Sequence, residues 1–523
     1  MVDLLTLYAQ AMPDKLAVVD DRPDGAVERL TFAELEEQAN RLAHVLRARG
    51  AGPGKKVVWC GANSVGVVVG VNACCKIGAT AVPLNYRLSD EEAAYVTDHS
   101  DADLVYADAE MAPMFARIRA QIPKVRDVLV YDSKAGAVDL GGAVAVEPLL
   151  VAAPATPVEV DVEASTASAT MIYTSGTTGK PKGALRRTGT DPAQAAALVK
   201  LVGYTTDDVY LTTGPLYHSG PGGFMGVAHA LGNTVVLQRK FDPQDWLRLV
   251  ETYRVTTTFS APTPARMVCA LPADVKARYD RSSMKRFIAN AAPWSFALKQ
   301  QYLAEFPSDS LWEVYGSTEL GVNCVMKPDD QLRKPGSCGQ ASPMTEIKLF
   351  DDDGNEVTGI GPDHPGELFV RSASVFNDYY KQPDRYEADR RGDFQTVGDI
   401  AYRDDEGFFY ICDRKKDMII SGGMNIYPAE IEAALEQHPA VLEAAVFGIP
   451  SDDWGELVHA VVVSRRGHTL TADEVVAFAR EHLAGYKIPR SVAFLDELPK
   501  TGSGKILKRE LRAPFWAGRA SNV

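Results

Sequence analysis

Short apolar strands alternate with helices between residues 31 and 107, and that alternation narrows the available folds more than any other feature of the chain. Between residues 31 and 49 apolar side chains recur at Leu35, Ala39, Leu42, Val45 and Leu46, the spacing of one helix face. Thr31 and Glu34 are placed as a capping box, and Gly50 supplies the exit. A strand over 57–60, an apolar helix over 65–77, a strand over 79–84, a capped helix opening at Ser89 and a strand over 104–107 follow. Strand and helix in this order predict a parallel sheet covered by helices. The segment 65–77 contains Gly66, Gly70 and Asn72 and falls short of the ~20 residues of a membrane span, so it is expected as a buried helix.

At 523 residues the chain is long enough for two to four domains of about 100–200 residues each. The 152–162 stretch, rich in Ala, Pro and Val, reads as a connection between subdomains, and 169–173 as a further buried strand. After about residue 340 short strands separated by acidic turns predict a β-rich subdomain. Beyond Asp417 a helix at 429–437, strands at 443–449 and 458–464, a helix capped by Thr471 and Glu474 and a strand at 491–495 predict a separate α+β unit. The expected class is α/β: a large N-terminal domain (1–415) of helix-covered, parallel-rich sheets with a β-rich subdomain, and a smaller α+β domain (416–523).

A net charge of −14 argues against a nucleic-acid partner, since such binding neutralises phosphates with clustered lysine and arginine. Any anionic substrate must then meet local positive charge. Seven scattered cysteines without zinc spacing, and an N-terminus without a basic start, favour a reducing cytoplasm. Neither a dimer nor a peripheral membrane contact is decided by the sequence.

The local positive charge is concentrated in TSGTTGKPKG, residues 174–183. Glycines let a backbone approach an anion, and hydroxyls, N–H groups and lysines bind it, so this is a candidate phosphate loop. It is not a Walker loop, because Gly176 and Gly179 bracket two residues instead of four. Pro181 disfavours helix at Lys180, so no helix should begin there. The loop follows the carboxyl end of a predicted strand, where open α/β sheets bind ligands.

Four more motifs follow in order: YGSTE (315–319), Gly398-Asp399, DRKKDMIISGGMNIYPAEIE (413–432) and PKTGSGK (499–505). Together with TSGTTGKPKG they resemble the adenylate-forming enzymes, the acyl-CoA synthetases, 4-coumarate-CoA ligases, luciferases and peptide-synthetase adenylation domains, over nearly the whole chain. The resemblance implies ATP, Mg²⁺ and CoA as the small molecules used, with a carboxylic acid as substrate. It implies that Thr174, Ser175, Gly176, Thr177, Thr178, Gly179 and Lys180 wrap the β- and γ-phosphates. Thr318 is implied as an α-phosphate ligand and Glu319 as the magnesium ligand. Tyr315, with Gly316 and Ala292, is implied beside the adenine, a core tyrosine being the alternative. Asp399 matches the ribose-binding carboxylate, and Arg414 its neighbour.

Lys505 matches the catalytic lysine of the family. A carboxylate and an α-phosphate 4 Å apart repel by about 4 kcal/mol at an effective dielectric of 20, and a lysine between them reverses that sign. The resemblance further implies that the C-terminal domain turns about Lys416 and presents Ser421, Gly422 and Gly423 to the pantetheine of CoA. No residue stands out as a base for the thiol.

The acyl pocket is expected to draw on His218, Gly222 and Trp294, with His218 open to a purely structural reading. Two departures from the family pattern are visible. Asn290 to Trp294 replace a more usual Gly-Gly-Ala-Pro stretch, and Arg186 and Arg187 stand where many relatives have Val and His. A mostly apolar pocket favours a hydrophobic acid over an amino acid, whose ammonium group needs a buried acidic partner. A fatty acid is the first reading. An aryl or alicyclic acid, or delivery to a carrier protein's phosphopantetheine, is the alternative. A kinase or ATPase leaves YGSTE and PKTGSGK unexplained, and a non-catalytic nucleotide sensor has no use for Lys505.

Overall fold

Strands apolar on both faces need cover on both faces, and the first half of the chain supplies it. The computed structural model describes residues 3–132, 140–159, 169–174, 181–187, 191–290, 294–422, 424–500 and 506–517. Strands β1 (Lys56–Cys60), β2 (Thr80–Leu84), β3 (Leu104–Asp108) and β4 (Asp127–Tyr131) pair in parallel, in the order β2-β1-β3-β4. Strand β5 (Ala169–Thr174) adds in parallel beside β2, and β6 (Lys182–Arg187) returns antiparallel to β5.

Helices α1 (Phe32–Ala48), α2 (Val65–Lys76) and α3 (Asp90–His99) fall where the sequence predicts them. The Thr31–Glu34 and Ser89–Glu92 capping boxes both form. Helix α2 is buried, and its glycines have a packing role. A Cβ at Gly66 would stand 2.4 Å from the Tyr131 ring and one at Gly70 2.6 Å from the Tyr106 ring. The two tyrosines therefore pack on bare helix backbone, and the Tyr106 hydroxyl donates to the Gly66 carbonyl at 3.1 Å. No helix among the described residues is long and apolar enough to cross a membrane.

The second sheet is built from β7 (Val209–Thr212), β8 (Thr234–Leu237), β9 (Thr257–Ser260), β10 (Arg286–Ala289) and β11 (Leu311–Ser317), all parallel in the order β8-β7-β9-β10-β11. Helices α4 (Ser219–Ala230) and α5 (Pro262–Cys269) follow β7 and β9. Strand β12 (Gly321–Met326) turns back antiparallel on β11, and the sheet continues through Gly339–Ala341 into β13 (Phe394–Arg403) and β14 (Phe408–Arg414). This antiparallel end is the β-rich region expected after residue 340. Helices α1 and α2 share one apolar cluster with both sheets, including Val57 and Tyr106 from the first and Tyr210 and Val235 from the second.

A third sheet contains β15 (Ile419–Ser421) and the hairpin β16 (Val441–Ser451) with β17 (Gly455–Ser464), flanked by α6 (Pro428–Leu435), α7 (Ala472–His482) and α8 (Lys508–Trp516). Two expectations differ here. Helix α6 ends at Leu435 instead of 437, and the 443–449 strand runs from Val441 to Ser451, through Pro450. Pro450 sits near the hairpin turn, where one missing donor is tolerated.

The predicted connection also has more structure than its composition suggests. Residues 147–152 form a helix, and the carbonyls of the next residues accept from the polar face of α1. Asn40 donates to Ala155 at 3.0 Å, Arg41 to Ala153 at 2.6 Å and Arg47 to Glu159 at 2.8 Å, and His44 Nε2 lies 2.9 Å from the Thr156 oxygen.

Candidate active site

Strands β5 and β11 end close together, and their last residues bring the polar side chains into one cluster. The loop 175–180 (Ser175, Gly176, Thr177, Thr178, Gly179, Lys180) lies outside the described residues. Its ends are joined, because Thr174 pairs with Lys182 across the β5–β6 hairpin. A strand, not a helix, follows Pro181. The Thr174 hydroxyl donates to Glu319 Oε1 at 3.2 Å, and the Tyr379 hydroxyl donates to the same oxygen at 3.2 Å. Thr318 Oγ1 lies 2.8 Å from the Ser219 hydroxyl at the start of α4.

Arg186 holds this turn from behind. Its guanidinium donates to the Thr318 carbonyl at 2.5 Å and to the Ser374 carbonyl at 2.7 Å. Burial pulls its pKa below the usual arginine range, with Glu319 opposing. A buried guanidinium that donates to two carbonyls fixes both chains, because its planar fork has little freedom left.

The second group lies at the antiparallel end of the sheet. Asp399 and Arg414 face each other across β13 and β14, and their side chains ion-pair at 3.3 Å. The Tyr315 hydroxyl donates to Asp399 Oδ2 at 2.6 Å. Burial first, then Asp399, pushes the Tyr315 pKa well above the ordinary phenol range. Burial opposes the Arg414 charge, but Asp399 and Asp417 outweigh it and raise the arginine's pKa. Gly316 follows at a register shift, where a Cβ would stand 2.0 Å from the Gly321 carbonyl oxygen, so only glycine fits.

The third group has few charges. His218 caps the N-terminal end of α4, with its ring 4.4 Å from that of Tyr217. Its Nε2 and the Tyr217 hydroxyl are buried with no hydrogen-bond partner among the described residues. Burial, helped by Arg87, lowers the His218 pKa to about 4, so the imidazole is neutral at pH 7. Helix α4 opens with Gly220, Gly222 and Gly223. A Cβ at Gly220 would stand 2.4 Å from the Phe259 ring, one at Gly222 2.5 Å from the Leu216 oxygen, while Gly223 faces open space. Phe224 stacks on Phe259 at 4.9 Å between centroids. Trp294 is 5% exposed, packs edge-on against Phe287 and Tyr302, and leaves its ring N–H unpartnered among the described residues. Asn290 donates to the Val314 carbonyl at 2.5 Å.

One cavity of about 3520 Å³ is lined by all three groups, including Thr174, Thr318, Asp399, His218, Gly222 and Trp294, and also by Lys416. Lys416 lies in the turn between β14 and β15, which is closed by the Asp417 N–H on the Arg414 carbonyl. Ser421 and Gly422 belong to the third sheet. Gly422 has φ +58°, its N–H donates to Trp454, and a Cβ there would touch the Trp454 ring at 2.7 Å. Ala292, Gly423 and Lys505 lie outside the described residues.

Glu319 belongs to no group of three His, Cys, Asp or Glu among the described residues that could hold a metal. That suits Mg²⁺, which keeps several waters and is bound by one or two carboxylates plus substrate phosphates. Ser219, Tyr379 and Arg186 were not singled out as site residues by the sequence. Ser219 lies beside His218 in the PLYHSGPGG stretch read as part of the acyl pocket, Tyr379 stands outside any motif, and Arg186 showed only as a departure from one.

Known proteins resemble this chain over most of its length. The AMP-binding enzyme family model matches residues 5–380, and that of the AMP-binding enzyme C-terminal domain matches 430–505. A feruloyl-CoA synthase of Amycolatopsis is 36% identical, covering 93% of this chain and 94% of its own. A long-chain-fatty-acid–CoA ligase of Mycobacterium tuberculosis is 32% identical, covering 98% of each. The o-succinylbenzoate CoA synthetase of Bacillus subtilis, solved with its acyl-adenylate intermediate, superposes with a TM-score of 0.82 at 30% identity over 98% of both chains. The chain therefore belongs to the AMP-binding enzyme family, the adenylate-forming enzymes, among the acyl- and aryl-CoA ligases.

Proposed function

We propose that this chain is an ATP-dependent acyl-CoA synthetase that adenylates a hydrophobic carboxylic acid with release of pyrophosphate, then passes the acyl group to CoA in the cytoplasm. The supporting observation is the convergence of Thr174, Thr318 and Glu319 with Tyr315, Asp399 and Arg414 on one cavity.

In the first half-reaction Asp399 accepts the ribose hydroxyls, the Tyr315 ring lies against adenine, and residues 175–180 wrap the β- and γ-phosphates. The Thr318 hydroxyl, backed by Ser219, donates to an α-phosphate oxygen. Lys505 stands between the acid's carboxylate and the α-phosphate. The carboxylate oxygen bonds to the α-phosphorus, the bond from that phosphorus to the α,β-bridging oxygen breaks, and pyrophosphate leaves with the bridging oxygen. Glu319 would hold Mg²⁺, whose charge neutralises the phosphates when it is bound. In the second half-reaction the domain 416–523 turns about Lys416 and Ser421 to Gly423 line the thiol's approach. Sulfur bonds to the acyl carbon and AMP leaves.

A fatty acid is the first reading of the apolar pocket. One observation favours a second, a compact ring-bearing acid: Phe259, packed on bare backbone at Gly220 and stacked on Phe224, lines the cavity with aromatic rings. A pyrophosphate-release screen across short, medium and long aliphatic acids and aromatic acids, with and without CoA, tests the proposal. Expected products are AMP, pyrophosphate and a thioester that appears only with CoA. Lys505→Ala should lose about 10²–10³ in pyrophosphate release. ADP as product, or a thioester formed only on a carrier protein, overturns it.

A further inference from the structure

Lys500 and Ile506 flank the stretch 501–505, whose last residue is Lys505. Lys500 and Ile506 pair across an isolated antiparallel bridge, and the Leu507 N–H donates to the Pro499 carbonyl at 2.8 Å. Ile506, the neighbour of Lys505 in the chain, is thereby tied to Lys500. Lys500 Nζ donates to both oxygens of Glu443, at 2.8 and 2.7 Å. Glu443 lies on β16 of the third sheet and its side chain is 12% exposed. Its Oε1 also pairs at 3.3 Å with Arg266, which lies on α5 immediately after the carboxyl end of β9. The chain of contacts thus runs from the active-site face of the second sheet, through Arg266 and Glu443, to the root of the Lys505 loop. Burial raises the pKa of nearby Glu436 to about 7, and Arg266 is the cation that opposes the rise.

We infer that Arg266 is a positioning residue for adenylation, holding the third-sheet unit through Glu443 so that the Lys505 loop faces the α-phosphate. This rests on the two half-reactions proposed above. The same ion pair must open when the unit turns about Lys416, so it favours the first half-reaction and restrains the second. A residue with a merely structural role would change both in the same sense.

The test separates the half-reactions in Arg266→Met, Arg266→Lys and Lys500→Met variants. Adenylation is read by ATP–pyrophosphate exchange, and thioester formation by mixing purified acyl-adenylate with CoA. Arg266→Met is expected to lose about tenfold in exchange, the scale of one half-buried ion pair, while thioester formation holds or rises. Arg266→Lys should recover part of the exchange. Wild-type exchange should fall with added salt more steeply than that of Arg266→Met, since only the wild type has the pair to screen. Lys500→Met keeps the Arg266–Glu443 pair and should lose exchange without gaining thioester formation. Equal loss in both half-reactions, or no loss in exchange, overturns the assignment while leaving the wild-type reaction standing. Absence of exchange in the wild type with every acid overturns the parent reading and this inference with it.

Discussion

The proposed nucleotide side and the proposed acyl side of the cavity are built on opposite plans. On the nucleotide side each polar group is held by another: Tyr315 on Asp399, Asp399 on Arg414, Thr174 and Tyr379 on Glu319, Ser219 against Thr318. On the acyl side the Phe259 ring and the Leu216 carbonyl pack on bare backbone at Gly220 and Gly222, Gly223 faces open space, Phe224 stacks on Phe259, and His218 is neutral. Preorganised dipoles suit a step in which charge moves, because they need no rearrangement when it does. Bare backbone suits a group recognised by its volume. The difference teaches that chemistry and substrate choice are separable here, and that mutations should separate them.

Among the substitutions that test this contrast, the largest effect is expected at Arg186. Arg186→Met leaves the Thr318 and Ser374 carbonyls without their charged donor and lets the Thr318–Glu319 turn relax. A displacement of about 1 Å in a catalytic group costs on the order of 10²-fold, so kcat for pyrophosphate release should fall by about that factor. The KM for the acid should not move. If steady-state kinetics instead show a raised acid KM with kcat held, Arg186 serves the acyl side and the division proposed here fails.

That asymmetry also explains what could be read from the sequence. The nucleotide-side residues sit in contiguous strings such as YGSTE, whose order alone points to their chemistry. Capping boxes were equally legible: those at Thr31, Ser89 and Thr471 all form, because each is satisfied within four residues. The acyl wall is assembled from Gly220, Phe224 and Phe259, which meet only after β7, α4 and β9 have packed. The segment 153–159 was illegible for a related reason. Its order comes from Asn40, Arg41, His44 and Arg47, more than a hundred residues earlier. Arg186 announced itself as a departure without revealing its partners, since Thr318 and Ser374 lie on other strands and loops.

Gly223→Leu addresses the acyl side alone. Nothing lies within 4 Å of a Cβ at this position, and Gly223 lines the cavity, so the new side chain takes up space there. Helix α4 should tolerate the change, and replacing a helical glycine is favourable by roughly 0.5–1 kcal/mol. The expected result is an acid KM raised about tenfold for the largest accepted acid and less for smaller ones, with ATP affinity by calorimetry unchanged. A comparable loss of ATP affinity would mean that the two sides share this wall.

The smallest effect is a pH dependence of stability carried by His218. Its folded pKa is about 4, held down by burial and then by Arg87, against about 6.5 in an unfolded chain. Above pH 6.5 the imidazole is neutral in both states and contributes no slope. As pH falls from 6.5 toward 4 the unfolded chain takes up a proton that the folded one refuses, so stability is lost across that window, by about 2 kcal/mol at pH 5. Buried His229, also lowered to about 4, adds a slope of the same sign. Urea unfolding of wild type and His218→Gln at pH 7.5 and pH 5 isolates the His218 share, because the variant keeps every other slope, those of His229, His99 and His459 included. A stability difference between the two proteins that is the same at both pH values would mean that His218 accepts its proton in the folded state. The acyl side would then carry a charge able to attract the substrate carboxylate, and the contrast with the nucleotide side would weaken to one of degree.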